Sequence, residues 1–154
     1  MTRKTLMVLA AGGSLALLLG AWGFQLAGYE PCELCLLQRW PHYIAAGIGV
    51  AVLVTRPWRL WGAAGALAAL TAAGLGVYHT GVERGWWEGP AACTGSGDAL
   101  AGLSGGQLLN LDAPVNVVMC DVVQWAFLGL SMASWNVIFS LIFVAIWVRS
   151  LRAA

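Results

Sequence analysis

Charge is what this chain has least of. Eight Lys/Arg and seven Asp/Glu among 154 residues leave 10% of the chain charged, against about 25% in an average soluble domain. The formal net charge is +1, and no basic cluster exceeds two residues. That excludes the basic surface needed to neutralise phosphates, so nucleic acid is not an expected partner. Cysteine is also scarce, at four. None of the four falls in the middle of an apolar run, which argues against their use as small core residues.

Apolar residues fill the space that charge leaves. They make up 60% of the sequence, with nine Trp, twenty Gly and a mean hydropathy of +0.76, the composition of an integral membrane protein. Three segments, about 6–28, 60–80 and 122–148, each have about the 20 residues needed to cross a hydrocarbon core. A fourth, from His42 to Thr55, is short by itself and reaches spanning length when read back to Cys35, about 35–55. The expected fold is therefore an all-α, four-helix membrane bundle in one domain, 1–154, with a long loop at about 81–121. Small residues such as Gly47, Gly49 and Ala63 to Gly65 allow close helix approach within it. Arg3 and Lys4 ahead of the first run resemble a secretory signal, but the run exceeds a usual h-region and no A-x-A-like site follows, so it is expected to be retained.

Arg3, Lys4, Arg56, Arg59, Arg149 and Arg152 fall on one side of such a bundle, and only Arg39 and Arg84 lie elsewhere. By the positive-inside rule both termini are expected in the cytoplasm. All four cysteines then face outward, Cys32 and Cys35 in the first outward loop and Cys93 and Cys120 in the second. Four cysteines allow three pairings, and Cys32–Cys35 with Cys93–Cys120 is the expected one. Structural stapling explains Cys93 and Cys120 but explains Cys32-x-x-Cys35 poorly, because so small a ring removes little chain entropy. A C-x-x-C is better read as a reactive pair. A four-cysteine zinc site would need a second close pair, and Cys93 and Cys120 are too far apart in sequence to supply it, so no metal is expected.

In 30-EPCELCLLQRWPHY-43, a helix starting near Glu33 or Leu34 would place its positive end at the C-x-x-C and favour a thiolate at Cys35. Arg39 lies four residues on, on the same helical face, where an arginine at membrane depth is a functional candidate or else a snorkelling side chain. Pro41 predicts either a kink or a helix that begins there. His79, level with the C-x-x-C, is a candidate hydrogen-bond partner for a bound oxygen; His42 is a weaker one.

The stretch 31-PCELCLLQR-39, the four spans and the later outward loop with two more cysteines resemble the disulfide bond formation protein B (DsbB) family. The stretches 78-YHTGVERGWW-87 and 127-FLGLSMASWN-136 look like its alphaproteobacterial branch. The resemblance implies a protein-dithiol:quinone oxidoreductase of the bacterial inner membrane, with its cysteines periplasmic. Its cofactor would be a quinone, ubiquinone being the expected one, and its partner a DsbA-like periplasmic thioredoxin-fold protein. Carried over, Cys35 is the sulfur beside the quinone and Cys32 its partner, while Cys93 is attacked by the reduced oxidase and Cys120 resolves. Arg39 and His79 would bind the quinone. The loop 94-TGSGDALAGLSGGQLLN-110 departs from better-known members, and Ala99 to Leu109 is a candidate surface helix. Competing readings are a non-catalytic four-span scaffold with structural disulfides, and a vitamin K epoxide reductase-like enzyme, whose loop pair precedes its C-x-x-C, the reverse of the order here.

Overall fold

Each long helix of this chain stops where the sequence offers its backbone another hydrogen bond. The computed structural model describes residues 1–56, 58–90 and 118–153. Helix α1 spans Arg3–Leu26, α2 Glu33–Val54, α3 Trp58–Glu83 and α4 Met132–Arg152. The α1 C-terminus turns at Gly28, whose φ of +96° is open to glycine, so the Tyr29 and Gly28 N–H groups reach the Phe24 and Gln25 carbonyls at 3.1 Å each. The Phe24 and Tyr29 rings then meet edge-on at 5.7 Å, the apolar contact that accompanies this terminus. Helix α3 ends the same way at Gly85, with the Trp86 N–H on the Gly81 carbonyl at 2.9 Å.

Helix α2 runs unbroken through Pro41, so the possibility that the regular helix begins there does not hold. Its 22 residues span about 33 Å at 1.5 Å per residue, but α2 is not among the helices both long and apolar enough to cross a membrane. Helices α1, α3 and α4 are long and apolar enough to cross a membrane. The fourth apolar segment differs from expectation at its start. Residues Ala126–Phe127 (β1) and Leu130–Ser131 (β2) pair as a two-residue hairpin, with Leu128 and Gly129 at φ +53° and +77° in its tip. Two consecutive positive φ values make a tight turn that matches strand twist. Ser131 then caps α4, its hydroxyl accepting the Ser134 N–H at 3.2 Å, so the helix starts at Met132 rather than near 122.

Neighbouring helices pack in the cyclic order α1, α2, α3, α4, with little contact across the α1–α3 diagonal. One core cluster joins all four through Met7, Ala10, Ala11, Ile48, Val52, Ala69, Phe143 and Trp147. The inward faces are rich in Ala and Gly, while Leu9, Leu19, Val50, Leu67, Leu70 and Leu141 face outward, the arrangement of a bundle whose exterior is solvated by lipid. The two ends differ in chemistry. At one, the Arg3 guanidinium donates to the Ala153 carbonyl at 2.5 and 3.1 Å and Lys4 reaches the Leu53 carbonyl at 3.5 Å. The cysteine-bearing turn, the α3 terminus and the hairpin form the opposite end.

Candidate functional site

The first turn of α2 has unpaired N–H groups, and a cysteine sulfur caps it. Cys32 Sγ accepts the Cys35 N–H at 3.2 Å and lies 2.8 Å from Cys35 Sγ. Both thiols are free, so the expected pair is brought together with its bond open. The helix terminus favours charge on Cys32, whereas the sequence pointed to Cys35: the capping sulfur already accepts a backbone N–H and faces the His79 Nε2–H at 3.6 Å. A proton shared between the sulfurs therefore sits on the Cys35 side. The Cys35 side chain, then His79, hold the Cys32 thiol down to about 5 against the upward push of burial.

Behind the sulfurs runs a buried polar network through three helices. Gln38 Nε2 donates to the Leu34 carbonyl at 3.3 Å and to His79 Nδ1 at 2.6 Å. Asn136 Nδ2 donates to Gln38 Oε1 at 2.6 Å and to the Ala72 carbonyl at 3.4 Å, and its Oδ1 accepts from His42 Nε2 at 2.8 Å. The second face of His79 looks to Glu83, Nε2 to Oε1 at 3.9 Å, and Glu83 accepts a short hydrogen bond from the Ser131 hydroxyl at the hairpin. Helix α2 thus supplies Gln38 and His42, α3 His79 and Glu83, and α4 Asn136, where a membrane interior otherwise penalises polar groups, and the hydrogen bonds offset that cost.

Most of these side chains line a cavity of about 470 Å³. Cys32, Cys35, Gln38, His42, His79 and Asn136 all face it, and Phe24, Trp125, Phe127, Trp135 and Phe139 supply an aromatic wall. Arg39 lines it too, yet its guanidinium bonds Gln25 Oε1 on α1 at 3.0 Å rather than the Cys35 sulfur. The cavity's size is typical of small-molecule sites, and its largely apolar, aromatic-rich lining with a few polar side chains fits an aromatic ring carrying oxygen substituents.

Cys120 is disulfide-bonded and fully buried, in one cluster with Cys32, Leu34 and Val82. Cys93, its expected partner, and the candidate helix from Ala99 to Leu109 lie outside the described residues. Of the expected site residues, Cys32, Cys35, Arg39 and His79 meet at the cavity, and Cys120 packs against the same sulfur end. Gln38, Asn136, Glu83 and Ser131 were missed. The legible signal for the first two was a polar amide inside an apolar run, which by default marks function or a buried network. Cys32, Cys35 and His79 also bring three ligand atoms within 4.8 Å of one another, close enough to hold a thiophilic metal ion.

The profile of the family described as "Disulfide bond formation protein DsbB" matches residues 3–149. Proteins named "Disulfide bond formation protein B" are similar over most of their length. The one from Acidovorax sp. (strain JS42) is 29% identical, covering 94% of this chain and 84% of its own. That from Paracidovorax citrulli (strain AAC00-1) is 27% identical over 99% and 90%, and that from Aromatoleum aromaticum is 30% identical over 82% and 81%. No solved structure matches significantly. With the family's match covering nearly the whole chain and a free C-x-x-C at the mouth of a membrane bundle, this protein belongs to the DsbB family of membrane disulfide-forming proteins.

Proposed function

We propose that the protein reoxidises a DsbA-like thioredoxin-fold dithiol and passes the electrons through its two cysteine pairs to a membrane quinone. The observation that carries this reading is the packing of disulfide-bonded Cys120 in the same buried cluster as the free Cys32, beside an apolar cavity. In the first exchange a partner thiolate attacks Cys93, and Cys120 leaves as a thiolate. The partner's second thiol breaks the mixed disulfide, so the partner leaves oxidised and the loop pair reduced. Cys120 then attacks Cys32 of the Cys32–Cys35 disulfide, expelling Cys35. Cys93 attacks Cys120 in turn, and Cys32 leaves as the thiolate that the α2 terminus and His79 stabilise; a low-pKa thiol is the better leaving group. The loop disulfide is restored and the electrons rest on Cys32 and Cys35.

A quinone, when bound, supplies the acceptor for the two electrons and two protons that this dithiol releases. Cys35, Arg39 and the polar side chains of the cavity would hold its head, with the aromatic wall around it. The acceptor must lie above the partner couple, near −120 mV for a strongly oxidising dithiol, which a quinone satisfies. The gathering of basic residues at the end remote from the cysteines supports cytoplasmic termini and periplasmic cysteines in a bacterial inner membrane. The test is reduction of added ubiquinone by the purified protein and a reduced thioredoxin-fold dithiol, in the presence of chelator. Turnover that disappears in Cys32→Ser and Cys93→Ser is expected. No turnover would return the protein to a structural scaffold, and turnover abolished by chelator would move the chemistry to a metal held by Cys32, Cys35 and His79.

A further inference from the structure

Three donor atoms face one another at the cysteine turn. Cys32 Sγ lies 2.8 Å from Cys35 Sγ and 3.6 Å from His79 Nε2, and all three atoms fall within 4.8 Å of one another. Both thiols are free, and all three side chains line the cavity, with Cys35 the partly exposed member. Tetrahedral zinc, with Zn–S of about 2.3 Å and Zn–N of about 2.0–2.1 Å, sets sulfur and nitrogen about 3.6 Å apart and two sulfurs about 3.8 Å apart. The Cys32–His79 pair already has that spacing, and Cys35 Sγ needs to move away by about 1 Å. The charges match as well. Two thiolates and a neutral imidazole neutralise a divalent ion, and the Glu83 carboxylate, 3.9 Å from His79 Nε2, adds a further negative charge beside it. A monovalent soft ion in the same place would leave an uncompensated thiolate charge in a buried site.

We propose that Cys32, Cys35 and His79 form a zinc site in the reduced protein, with three protein ligands and the fourth position open to the cavity. Oxidation to the Cys32–Cys35 disulfide removes both thiolates, so the site exists in one redox state only. On binding, Cys35 releases its proton to solvent, and the Cys32 sulfur keeps the Cys35 N–H that orients it. His79 coordinates through the Nε2 lone pair, so its hydrogen passes to Nδ1. The chain from His79 through Gln38 and Asn136 to His42 can run in that direction, because each amide can turn over. Gln38 Oε1 then takes the Nδ1–H, Gln38 Nε2 donates to Asn136 Oδ1, and Asn136 Nδ2 donates to His42 Nε2. The reversal gives up two long contacts, at 3.3 Å to the Leu34 carbonyl and 3.4 Å to the Ala72 carbonyl. The site itself stands without the quinone reading, and its effect on turnover rests on that reading: zinc holds the dithiol reduced and stops electron transfer until a chelator removes it.

Zinc binding to the reduced full chain in detergent micelles, measured anaerobically against a chromogenic chelator of known affinity, tests this. A Cys93→Ala, Cys120→Ala variant leaves Cys32 and Cys35 as the only cysteines. Its reduced form is expected to bind one zinc ion per chain, and its oxidised form none. In that background Gln38→Leu, which removes the partner of the ligating ring, should weaken zinc about tenfold, and His79→Ala, which removes a ligand, about a hundredfold. Zinc-edge X-ray absorption on the background without the His79 change provides a readout independent of that variant's folding. There the metal should show two sulfurs at about 2.3 Å and an imidazole nitrogen at about 2.0–2.1 Å. No zinc on the reduced variant, equal binding by its oxidised form, an affinity unchanged by His79→Ala, or a coordination shell without imidazole overturns the proposal. Each of these outcomes leaves the quinone reading standing, which fails instead if ubiquinone is not reduced in the presence of chelator.

Discussion

Cys32 caps the helix to which Cys35 belongs, its sulfur accepting the Cys35 N–H at 3.2 Å while His79 Nε2 faces it at 3.6 Å. One sulfur thus collects a helix terminus, a thiol and an imidazole, and becomes the anionic member of the pair.

The reduced protein should therefore show a thiolate titrating near pH 5 by ultraviolet absorbance, from the Cys32 value of about 5. The folded value is depressed, so the thiolate is present above that pH and is lost as pH falls through it. Cys35→Ala removes the largest of the lowering contacts and should move the midpoint up toward the ordinary thiol value of about 8.5. A midpoint already near that value in the unmodified chain would refute the assignment of charge to Cys32.

Arg39 ties α1 to α2 through Gln25 and lines the cavity. Arg39→Ala is expected to raise the KM for quinone roughly tenfold, the effect of one lost charged hydrogen bond, while both disulfides still form. Arg39→Lys, which keeps charge without the planar fork, should fall between. Unchanged quinone kinetics would leave Arg39 with only its structural tie.

Replacing Cys120 with Ala should let a mixed disulfide between Cys93 and the thioredoxin-fold partner accumulate, visible on a non-reducing gel. Trapping through Cys32 instead would reverse the order of the relay.

A Cβ added at Gly65 would sit 2.5 Å from the Trp147 ring, which is fully buried in the core. Gly65→Ala should lower stability by about 1–3 kcal/mol, read from the denaturation midpoint in mixed micelles. Gly12→Ala, where a Cβ meets nothing, is the control and should leave it unchanged or raise it slightly, alanine being the better helix former.

Helices α1, α3 and α4 were legible because an apolar run of spanning length has few other ways to satisfy its backbone in lipid. Boundaries were less so. The hairpin at Ala126–Ser131 is as apolar as the helix it precedes, and hydropathy cannot separate them. Only the capping hydroxyl of Ser131 and the positive φ values at Leu128 and Gly129 mark where helix begins. Similarly, Arg39 shares a face with Cys35 in sequence, yet packing α1 alongside offered its guanidinium the Gln25 oxygen.

By itself the sequence determined the membrane class, the helical bundle and the pairing of two cysteines in a C-x-x-C, since composition, run length and cysteine spacing are local properties of the chain. Tertiary structure decided which sulfur carries charge and what stands behind it. Cys32 and His79 lie 47 positions apart, Gln38 and Asn136 98, and His42 and Asn136 94. Hydrogen bonds between such residues depend on the order and rotation of packed helices, which no local pattern specifies.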